Sequence, residues 1–537
     1  MFSYLLVLSS AALGAHAACY DANVAHPILD YQTPGAGAHI QTVSGTIRDA
    51  LSATIADKAW DAVSFSVEVT SSKDTLFSHH HTARTRNTSR PDCGDVSGDC
   101  MYRIASVTKS FTVLALLRLH ARGELHLDDS VDKYIPEFAG AEYDSIDWSE
   151  ITLRSLASQS SGLPRECTPK ITDCGTLENL MNALKGKKPL FAPNQRSSYS
   201  NIGYQLLGVV ISRVSKMSYE KFMEESIFKP LEMTKTTFRP SSDTDGVIPA
   251  VPNFWGIEGG IQNPTGGLYS STGDLARYMR HILTHHNTIT PTLNWLTPAS
   301  TAEGLNSFYG APWEIFRTER LLESSRRTVE FITKTGGLPG YVSDLILVPQ
   351  YDLGITLLIA GGNKKIYDQI KEILTTEMVR AADAMATAQL RERYAGVYSL
   401  GDAAQNTSMT VTADARGLIV TGLIAAGQDF LKSKDIAVLG APADAPWHAQ
   451  LVPTQMYEDE EKREGERWRL LVYPERPESP TVWDEFCVTD FDKANMPVDY
   501  FNEVVFWKGA DGGVEKVALT GFQGAELTRT VAGQRRA

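Results

Sequence analysis

The sequence predicts an α+β fold for the larger, first part of the chain and a small all-β fold for the rest. Helical and strand patterns alternate as far as about residue 390, and short strand-like runs separated by turns follow Arg393. A chain of 537 residues is long enough for more than one domain. We therefore predict one domain over residues 18–390 and a β-barrel-like domain over residues 391–537.

The first domain is expected to combine buried helices with a strand hairpin. The stretch Phe111–Ala121 is apolar on nearly every side, which is typical of a helix inside a domain, and Gly123 is suited to end it. Further helical patterns cover residues 203–214, 273–284 and 363–391. Strands are predicted at residues 63–69, 341–348 and 353–360, the last two joined as a hairpin.

The second domain has five short strand-like runs, at residues 394–398, 409–412, 417–423, 468–473 and 503–507. Their regular spacing predicts a small antiparallel barrel or sandwich. The charged run Glu458–Arg469 predicts a solvated hairpin loop, because charged side chains are rarely buried without partners.

The first seventeen residues have the pattern of a secretory signal peptide. An apolar region lies between Leu5 and Leu13, and Ala15-His16-Ala17 has the small-x-small form of a signal-peptidase site, so we expect cleavage after Ala17. No lysine or arginine lies near Met1, and a buried first helix or strand is the alternative. Because no later apolar run is long enough to span a bilayer, we predict a secreted protein.

The six cysteines agree with an exported protein. Two pairs are closely spaced in turn-rich sequence, as local disulfide loops would be, and the remaining two would connect the mature N-terminus to the tail. Six cysteines permit about fifteen connectivities, so other pairings stay open. A zinc site is the alternative, although no histidine–cysteine spacing supports it. The favoured pairs are Cys93–Cys100, Cys167–Cys174 and Cys19–Cys487.

The formal net charge of −13 argues against nucleic acid or an anionic membrane surface as the main partner. Two histidine clusters, at residues 79–81 and 285–286, lack the helical spacing and neighbouring carboxylates of a metal site. The sequence thus predicts no metal and no cofactor, and it leaves the oligomeric state open. Two sequons predict glycosylation at Asn87 and Asn406 if the protein is exported.

Ser106 and Lys109 are the first candidates for chemistry. Ser106 opens the buried helical stretch, and a spacing of three residues brings both side chains onto one helix face. The helix N-terminus would stabilise negative charge beside the serine. Lysine has an ordinary pKa of about 10.4, so desolvation and a second cation must lower its pKa before it can act as a base. Alone, the pattern fits a helix-capping serine and a solvent-facing lysine better.

Tyr199-Ser200-Asn201 lies in a loop before a helical run. A tyrosine there can carry a proton to a leaving group if cations lower its pKa. The amide of Asn201 can bind a substrate carbonyl or hold Lys109 in place. By itself the triplet also fits an ordinary turn with a hydrogen-bonded tyrosine.

Lys334-Thr335-Gly336-Gly337 is predicted to form an edge strand. Lys334 is the natural second cation, and the glycines let a substrate approach the backbone closely. The N–H of Gly337 would join the N–H of Ser106 as an oxyanion hole. The alternative is a cationic strand end followed by a glycine turn.

In this order the motifs resemble those of the class C β-lactamase-like serine hydrolases, which include penicillin-binding proteins, D-amino-acid peptidases, esterases and some fungal acyltransferases. The resemblance covers most of residues 45–380, and the tail from Tyr394 is similar to the small β-barrel appended to some relatives. The connecting segments that resemble the family are Gly123–Asp129, Tyr134–Phe138, Ser160–Pro164, Ser200–Tyr204, Gly266–Ser271 and Gly337–Tyr341.

The resemblance implies an antiparallel sheet flanked by helices beside an all-helical subdomain, with the site between them. It implies Ser106 as nucleophile, Lys109 as its base or proton relay, and Tyr199 as second general base and acid. Lys334 would supply positive potential. The chain departs from the family at Gln159, where relatives often carry histidine, and at the cysteine pair that follows. The substrate-binding residues implied are Asn201, Thr335, Gly336 and Gly337.

The sequence thus predicts a secreted serine hydrolase or acyltransferase that forms an acyl-enzyme at Ser106 and acts on a small-molecule ester, lactone or amide. The complete lysine-threonine-glycine triplet also fits a true β-lactamase or a D-amino-acid peptidase. A catalytically silent ligand-binding protein of the same fold and a metal-dependent hydrolase are the remaining alternatives. The sequence does not identify the substrate, because loops such as 167–188 and 254–265 shape the pocket.

Overall fold

The structure, a computed structural model, describes two compact units. The first contains Asp30–Leu321 and Thr328–Ala381, and the second contains the described parts of residues 1–29, 322–327 and 382–537. The domain limits proposed above stay a prediction, and both the proposed signal peptide and the pair Cys167–Cys174 lie outside the described residues. The described residues are 19–530 without 23, 141, 142, 144, 167–174, 292, 401–405, 479, 480, 485, 489, 493–499 and 511.

The predicted helices are present, and those predicted from Phe111, Gly203 and Gly273 begin one to three residues earlier than their apolar patterns. Polar caps explain two of these differences: Ser200 Oγ and Ser271 Oγ accept hydrogen bonds from the first free backbone N–H groups of their helices. The helices are α1 (Pro34–Ile55), α2 (Thr108–Ala121), α3 (Leu153–Ala157), α4 (Leu177–Leu184), α5 (Asn201–Ser215), α6 (Tyr219–Met223), α7 (Asn263–Gly266), α8 (Thr272–His285) and α9 (Lys364–Arg393).

An antiparallel eight-stranded sheet and the helices α2, α5 and α8 form the core of the first unit. The sheet order is β2-β1-β10-β9-β8-β7-β6-β5, and β3 and β4 form a separate pair. The predicted hairpin is confirmed as β9 and β10. The strands are β1 (Ser64–Thr70), β2 (Thr75–His81), β3 (Tyr102–Arg103), β4 (Tyr269–Ser270), β5 (Ser300–Thr301), β6 (Ser307–Tyr309), β7 (Glu314–Thr318), β8 (Val329–Leu338), β9 (Tyr341–Val348) and β10 (Leu353–Ala360).

The expectation of an edge strand at Lys334 is wrong. This strand, β8, lies inside the sheet between β7 and β9. However, β7 begins at Glu314, opposite Thr333, whereas β9 pairs with β8 as far as Leu338. The last residues of β8 therefore extend past the start of β7, where Gly337 is exposed while Lys334 and Gly336 are buried.

Helix α2 is buried almost throughout, as its apolar pattern predicted. Phe111 stacks on Tyr278 of α8 with ring centroids 3.8 Å apart. Thr112 donates to the carbonyl oxygen of Pro264 at 2.7 Å, which connects α2 to α7. Packing on several sides holds the first turn of α2 in a fixed position.

The second unit is a closed antiparallel β-barrel, because β12 pairs with both β11 and β13 at the two ends of one sheet. The aromatic rings of Tyr394, Trp468 and Phe506 contact one another in its core. Sequence patterns missed β14, β15, β18 and β19. The strands are β11 (Gly396–Ser399), β12 (Ser408–Asp414), β13 (Gly417–Ala425), β14 (Gln428–Asp429), β15 (Trp447–Asp459), β16 (Glu464–Pro474), β17 (Glu503–Lys508), β18 (Val514–Leu519) and β19 (Ala525–Thr530).

The charged run 458–469 is a hairpin, as predicted, but most of it is strand and only residues 460–463 form the turn. Its charges are partly buried because they are paired: Arg469 Nη1 donates to Glu503 Oε2 at 2.6 Å, and both side chains are less than a tenth exposed. Two predicted disulfides are confirmed, Cys93–Cys100 in the first unit and Cys19–Cys487 in the second.

Candidate active site

Ser106 lies in the turn that leads from β3 into α2. Ala105 has a φ of 46°, in the left-handed region, and this sharp turn leaves Ser106 partly exposed while every other residue from Met101 to Leu117 is buried. Lys109 follows one turn later, with its Nζ 3.4 Å from Ser106 Oγ. The structure therefore brings together the two groups that sequence spacing placed on one helix face.

Lys109 is fully buried between two oxygen atoms that can only accept hydrogen bonds. Its Nζ donates to Asn201 Oδ1 at 2.6 Å and to the carbonyl oxygen of Thr265 at 2.7 Å. Burial lowers the pKa of Lys109, and Lys334 lowers it further against the opposing effect of Tyr199. A neutral amine has two N–H groups and one lone pair. In the neutral form, which the lowered pKa favours, two acceptors take both N–H groups and the lone pair remains for a third neighbour, Ser106 Oγ or the Tyr199 hydroxyl.

Three basic side chains surround Tyr199. Its ring centroid lies 5.0 Å from Lys109 Nζ, 5.3 Å from Lys334 Nζ and 4.8 Å from the guanidinium carbon of Arg165. Burial raises the pKa of Tyr199, but the two lysines and a hydrogen bond with Ser106 outweigh burial, so the pKa lies below the usual 10.0. The phenol can therefore exchange a proton close to Ser106.

Glu314 is a site residue that the sequence analysis missed. It lies at the start of β7 and accepts hydrogen bonds from Lys334 Nζ at 2.5 Å, Thr335 N at 3.1 Å and Thr335 Oγ1 at 2.7 Å. Burial lowers the pKa of Lys334, but Glu314 more than compensates, and the pKa is raised overall. Lys334 thus stays cationic beside Tyr199. The contact depends on the register between two strands, which no sequence motif records.

Gly336 and Gly337 face opposite environments. A Cβ on Gly336 would lie 2.4 Å from the carbonyl oxygen of Ile104 and 3.0 Å from Ser106 N, whereas a Cβ on Gly337 would meet no atom within 4 Å. The N–H of Thr335 points to the side of β7, and strand N–H groups two residues apart point the same way. The N–H of Gly337 therefore faces the open space past the end of β7, next to Ser106.

We expect Gly336→Ala to lower kcat/KM for an ester by about 10²-fold or more, because the strand and the nucleophile turn must separate and misplace an N–H donor. The overpacking should also cost about 1–3 kcal/mol of stability. Gly45→Ala, on helix α1 away from the site, is the control, since its methyl group enters open space. Esterase kinetics and thermal unfolding of both variants test this expectation, and equal losses in the two would contradict it.

Asn201 uses both ends of its amide inside the protein. Its Oδ1 accepts from Lys109, and its Nδ2 donates to Glu166 Oε1. The opposite orientation would point the amide NH₂ at the amine and the amide oxygen at the carboxylate, so chemistry fixes the observed one. Glu166 was not among the predicted residues. Gln159, noted as a departure, accepts from Ser200 N at 2.7 Å and holds the loop that carries Tyr199.

The remaining predicted residues lie outside this site. The histidines at 79–81 lie on β2 and those at 285–286 at the end of α8. No three metal-binding side chains converge anywhere in the described chain. Asn87 Nδ2 donates to the carbonyl oxygen of Pro249 at 3.0 Å, and Asn406 is exposed. None of the helices that the structure describes is both long and apolar enough to cross a membrane.

The chain is similar to known proteins along most of its length. Residues 52–373 match the family model described as Beta-lactamase, and residues 386–530 match a model described as a beta-lactamase-like C-terminal domain. Across 98% of its length the chain is 29% identical to a probable hydrolase, clz13, of Cochliobolus lunatus, covering 94% of that protein. Across 67% of its length it is 30% identical to a beta-lactamase-like protein of Arthroderma benhamiae, covering 65% of that protein.

Solved structures show the same fold for the first unit. A class C β-lactamase in complex with cefoxitin matches 62% of this chain and 99% of its own, at 19% identity and a TM-score of 0.51. The class C β-lactamase of Rhodobacter sphaeroides matches the same shares at 20% identity and a TM-score of 0.50. Identities this low establish the fold and leave the substrate to be argued from the site itself.

Proposed function

The chain belongs to the β-lactamase family of hydrolases, and we propose that it is a secreted serine hydrolase or acyltransferase that forms an acyl-enzyme at Ser106. The observation that carries this proposal is the set of contacts of Lys109, whose two N–H groups go to Asn201 Oδ1 and the Thr265 carbonyl. When the amine is neutral, its lone pair is within reach of Ser106 Oγ, 3.4 Å away, as a base requires. The substrate is a small-molecule ester, lactone or amide.

In the first half-reaction the neutral amine of Lys109 takes the proton of Ser106 while Oγ bonds to the substrate carbonyl carbon. The carbonyl oxygen becomes an oxyanion, which the N–H groups of Ser106 and Gly337 bind. The tetrahedral intermediate then loses its leaving group, which receives a proton through Tyr199. Lys334 keeps the site positive while negative charge develops on these oxygens.

In the second half-reaction water or an alcohol attacks the acyl-enzyme. Its proton passes to Tyr199 or Lys109, its oxygen bonds to the acyl carbon, and Ser106 Oγ leaves and regains a proton. Water gives hydrolysis and an alcohol gives acyl transfer. The same groups would serve a β-lactam or a D-amino amide, and these substrates are the alternative within this proposal. Export is supported by the disulfides Cys93–Cys100 and Cys19–Cys487.

We expect a fluorophosphonate probe to add one label to the intact protein, on the peptide that contains Ser106. Ser106→Ala should take no label and lose p-nitrophenyl ester hydrolysis. Ser110→Ala is the matched control, because Ser110 lies one turn further along α2, where it donates to the Val107 carbonyl at 2.8 Å and contacts Tyr278, away from the site. Peptide mass spectrometry and ester kinetics provide the measurement. Full labelling or unchanged hydrolysis in Ser106→Ala would refute the proposal and favour a silent binding protein.

A further inference from the structure

Glu166 is held firmly against the loop that carries Tyr199 and Asn201. The N–H of Asn201 donates to the carbonyl oxygen of Arg165 at 2.8 Å, and Ser200 Oγ donates to the carbonyl oxygen of Pro164 at 2.7 Å. The segment Pro164–Arg165 is therefore hydrogen-bonded to the segment Ser200–Asn201. The Glu166 side chain, 27% exposed, contacts Asn201 from this fixed backbone.

The carboxylate changes what Asn201 can offer to a substrate. Asn201 Oδ1 and Ser106 Oγ both contact Lys109 Nζ, so an acyl group on Ser106 lies next to the Asn201 side chain. One Nδ2 N–H donates to Glu166. A substrate carbonyl that approached the other N–H would come close to a carboxylate oxygen, and two acceptors repel each other there.

Two basic side chains lie near Glu166, and neither takes the place of the Asn201 amide. Arg165 Nε lies 3.6 Å from Glu166 Oε1, so the same carboxylate attracts the guanidinium, which also lies against the Tyr199 ring. Lys109 is buried behind Asn201, and its N–H groups are already used. At Asn201 itself, the amide group that a substrate carbonyl would use is therefore already engaged by Glu166.

We propose that Glu166 is a specificity-determining residue: by holding the Asn201 amide, it makes the site disfavour acyl groups with an amide carbonyl near the reacting carbon and favour hydrocarbon acyl groups. This inference rests on the function proposed above. Glu166 acts through Asn201 and is therefore a positioning residue. A substrate carbonyl left without a donor at a buried site loses most of its affinity there, whereas a methylene group loses nothing.

Two p-nitrophenyl esters of equal length test this inference. The 4-phenylbutyrate ester has two methylene groups where the hippurate ester has an amide. Each kcat/KM is divided by the hydroxide-catalysed rate of the same ester, which removes their different intrinsic reactivity. We expect the parent protein to prefer the phenylbutyrate by about tenfold or more, since one lost hydrogen bond of about 1.4 kcal/mol is worth a factor of ten.

Glu166→Ala should reduce this preference at least about fivefold, mainly through a lower KM for the hippurate, because Asn201 Nδ2 becomes free to donate. Glu166→Gln keeps an oxygen that can accept from Asn201 Nδ2 and should retain most of the parent preference. Glu150→Gln, an exposed position in the same unit, is the control for the lost charge and should keep the parent preference. A general structural loss would lower both esters alike and leave the ratio unchanged.

A parent preference below twofold, or a preference unchanged in Glu166→Ala, would overturn the inference while the proposed function stands. If the parent hydrolyses neither ester and takes no label at Ser106, the proposed function fails and this inference falls with it. The two failures are therefore distinguishable within one experiment.

Discussion

Replacing Lys109 with methionine is expected to lower kcat/KM for p-nitrophenyl esters by about 10³-fold. Lys109 Nζ lies 3.4 Å from Ser106 Oγ, and the lysine is fully buried, which lowers its pKa and favours the neutral, basic form. A positioned general base contributes about 10²–10⁴-fold to rate. Methionine has a similar length and no basic nitrogen, so the variant removes the base while filling most of its volume.

The folded state of Lys109→Met should survive. Asn201 Oδ1 and the Thr265 carbonyl would lose their donor, at about 1–3 kcal/mol for each unpaired acceptor, while the amine no longer has to be desolvated. Lys133→Met is the control, because Lys133 is exposed and forms a surface ion pair with Asp129. Kinetics and chemical denaturation separate activity from stability. A folded Lys109→Met variant within tenfold of the parent rate would remove Lys109 from the mechanism.

Local spacing explains why this part of the site could be predicted. Ser106 and Lys109 share one helix turn, and their distance follows from helix geometry once the apolar pattern of α2 is recognised. The hairpin of β9 and β10 was predicted for a similar reason, since a short turn joins two strongly apolar strands. Contacts between residues that are close in the sequence can therefore be predicted from local sequence patterns.

Glu314 and Glu166 could not be found in this way. Glu314 reaches Lys334 through the pairing of β7 with β8, and Glu166 reaches Asn201 across a separation of 35 residues. The Glu314 carboxylate keeps Lys334 protonated, and the Glu166 carboxylate fixes the orientation of the Asn201 amide. No fixed spacing in the sequence predicts either contact, because both depend on strand register and loop packing, which form only in the folded chain.

The missed strand β15 has a different cause. Its pairing with β16 shifts register between Pro453 and Met456, and such a bulge interrupts the alternation by which strands are recognised. The hairpin at residues 458–469 was predicted to be a solvated loop because of its many charges. Arg469 is instead buried against Glu503, so a charged residue occupies an inward-facing position of the strand.

Lys334→Gln and Glu314→Gln are expected to shift the pH profile of kcat/KM in opposite directions. The rising limb reports groups that must lose a proton, here Lys109 and Tyr199. Lys334 lowers the pKa of both groups, after the larger effects of burial. Lys334→Gln therefore raises both pKa values, moves the rising limb to higher pH, and should lower kcat/KM at neutral pH by about 10²-fold.

Glu314→Gln should move the same limb to lower pH. Glu314 raises the pKa of Tyr199, so removing its charge makes the phenol more acidic. Burial lowers the pKa of Lys334, and the Glu314 carboxylate raises it, with smaller contributions in the same direction from Tyr199 and Asp344. Without Glu314, Lys334 loses its proton at lower pH, and the falling limb should shift in the same direction as the rising one.

Each variant replaces one partner of the Lys334–Glu314 ion pair with glutamine. A purely structural effect of breaking that pair would therefore shift both pH profiles in the same direction. Glu330→Gln is the control, because Glu330 also lies in the sheet, on β8, with Arg317 as its partner, and it should leave the profile in place. Full pH–rate profiles with one ester provide the measurement. Shifts of the same sign would mean that Lys334 acts by contacting the substrate and that its charge does not tune Lys109 and Tyr199.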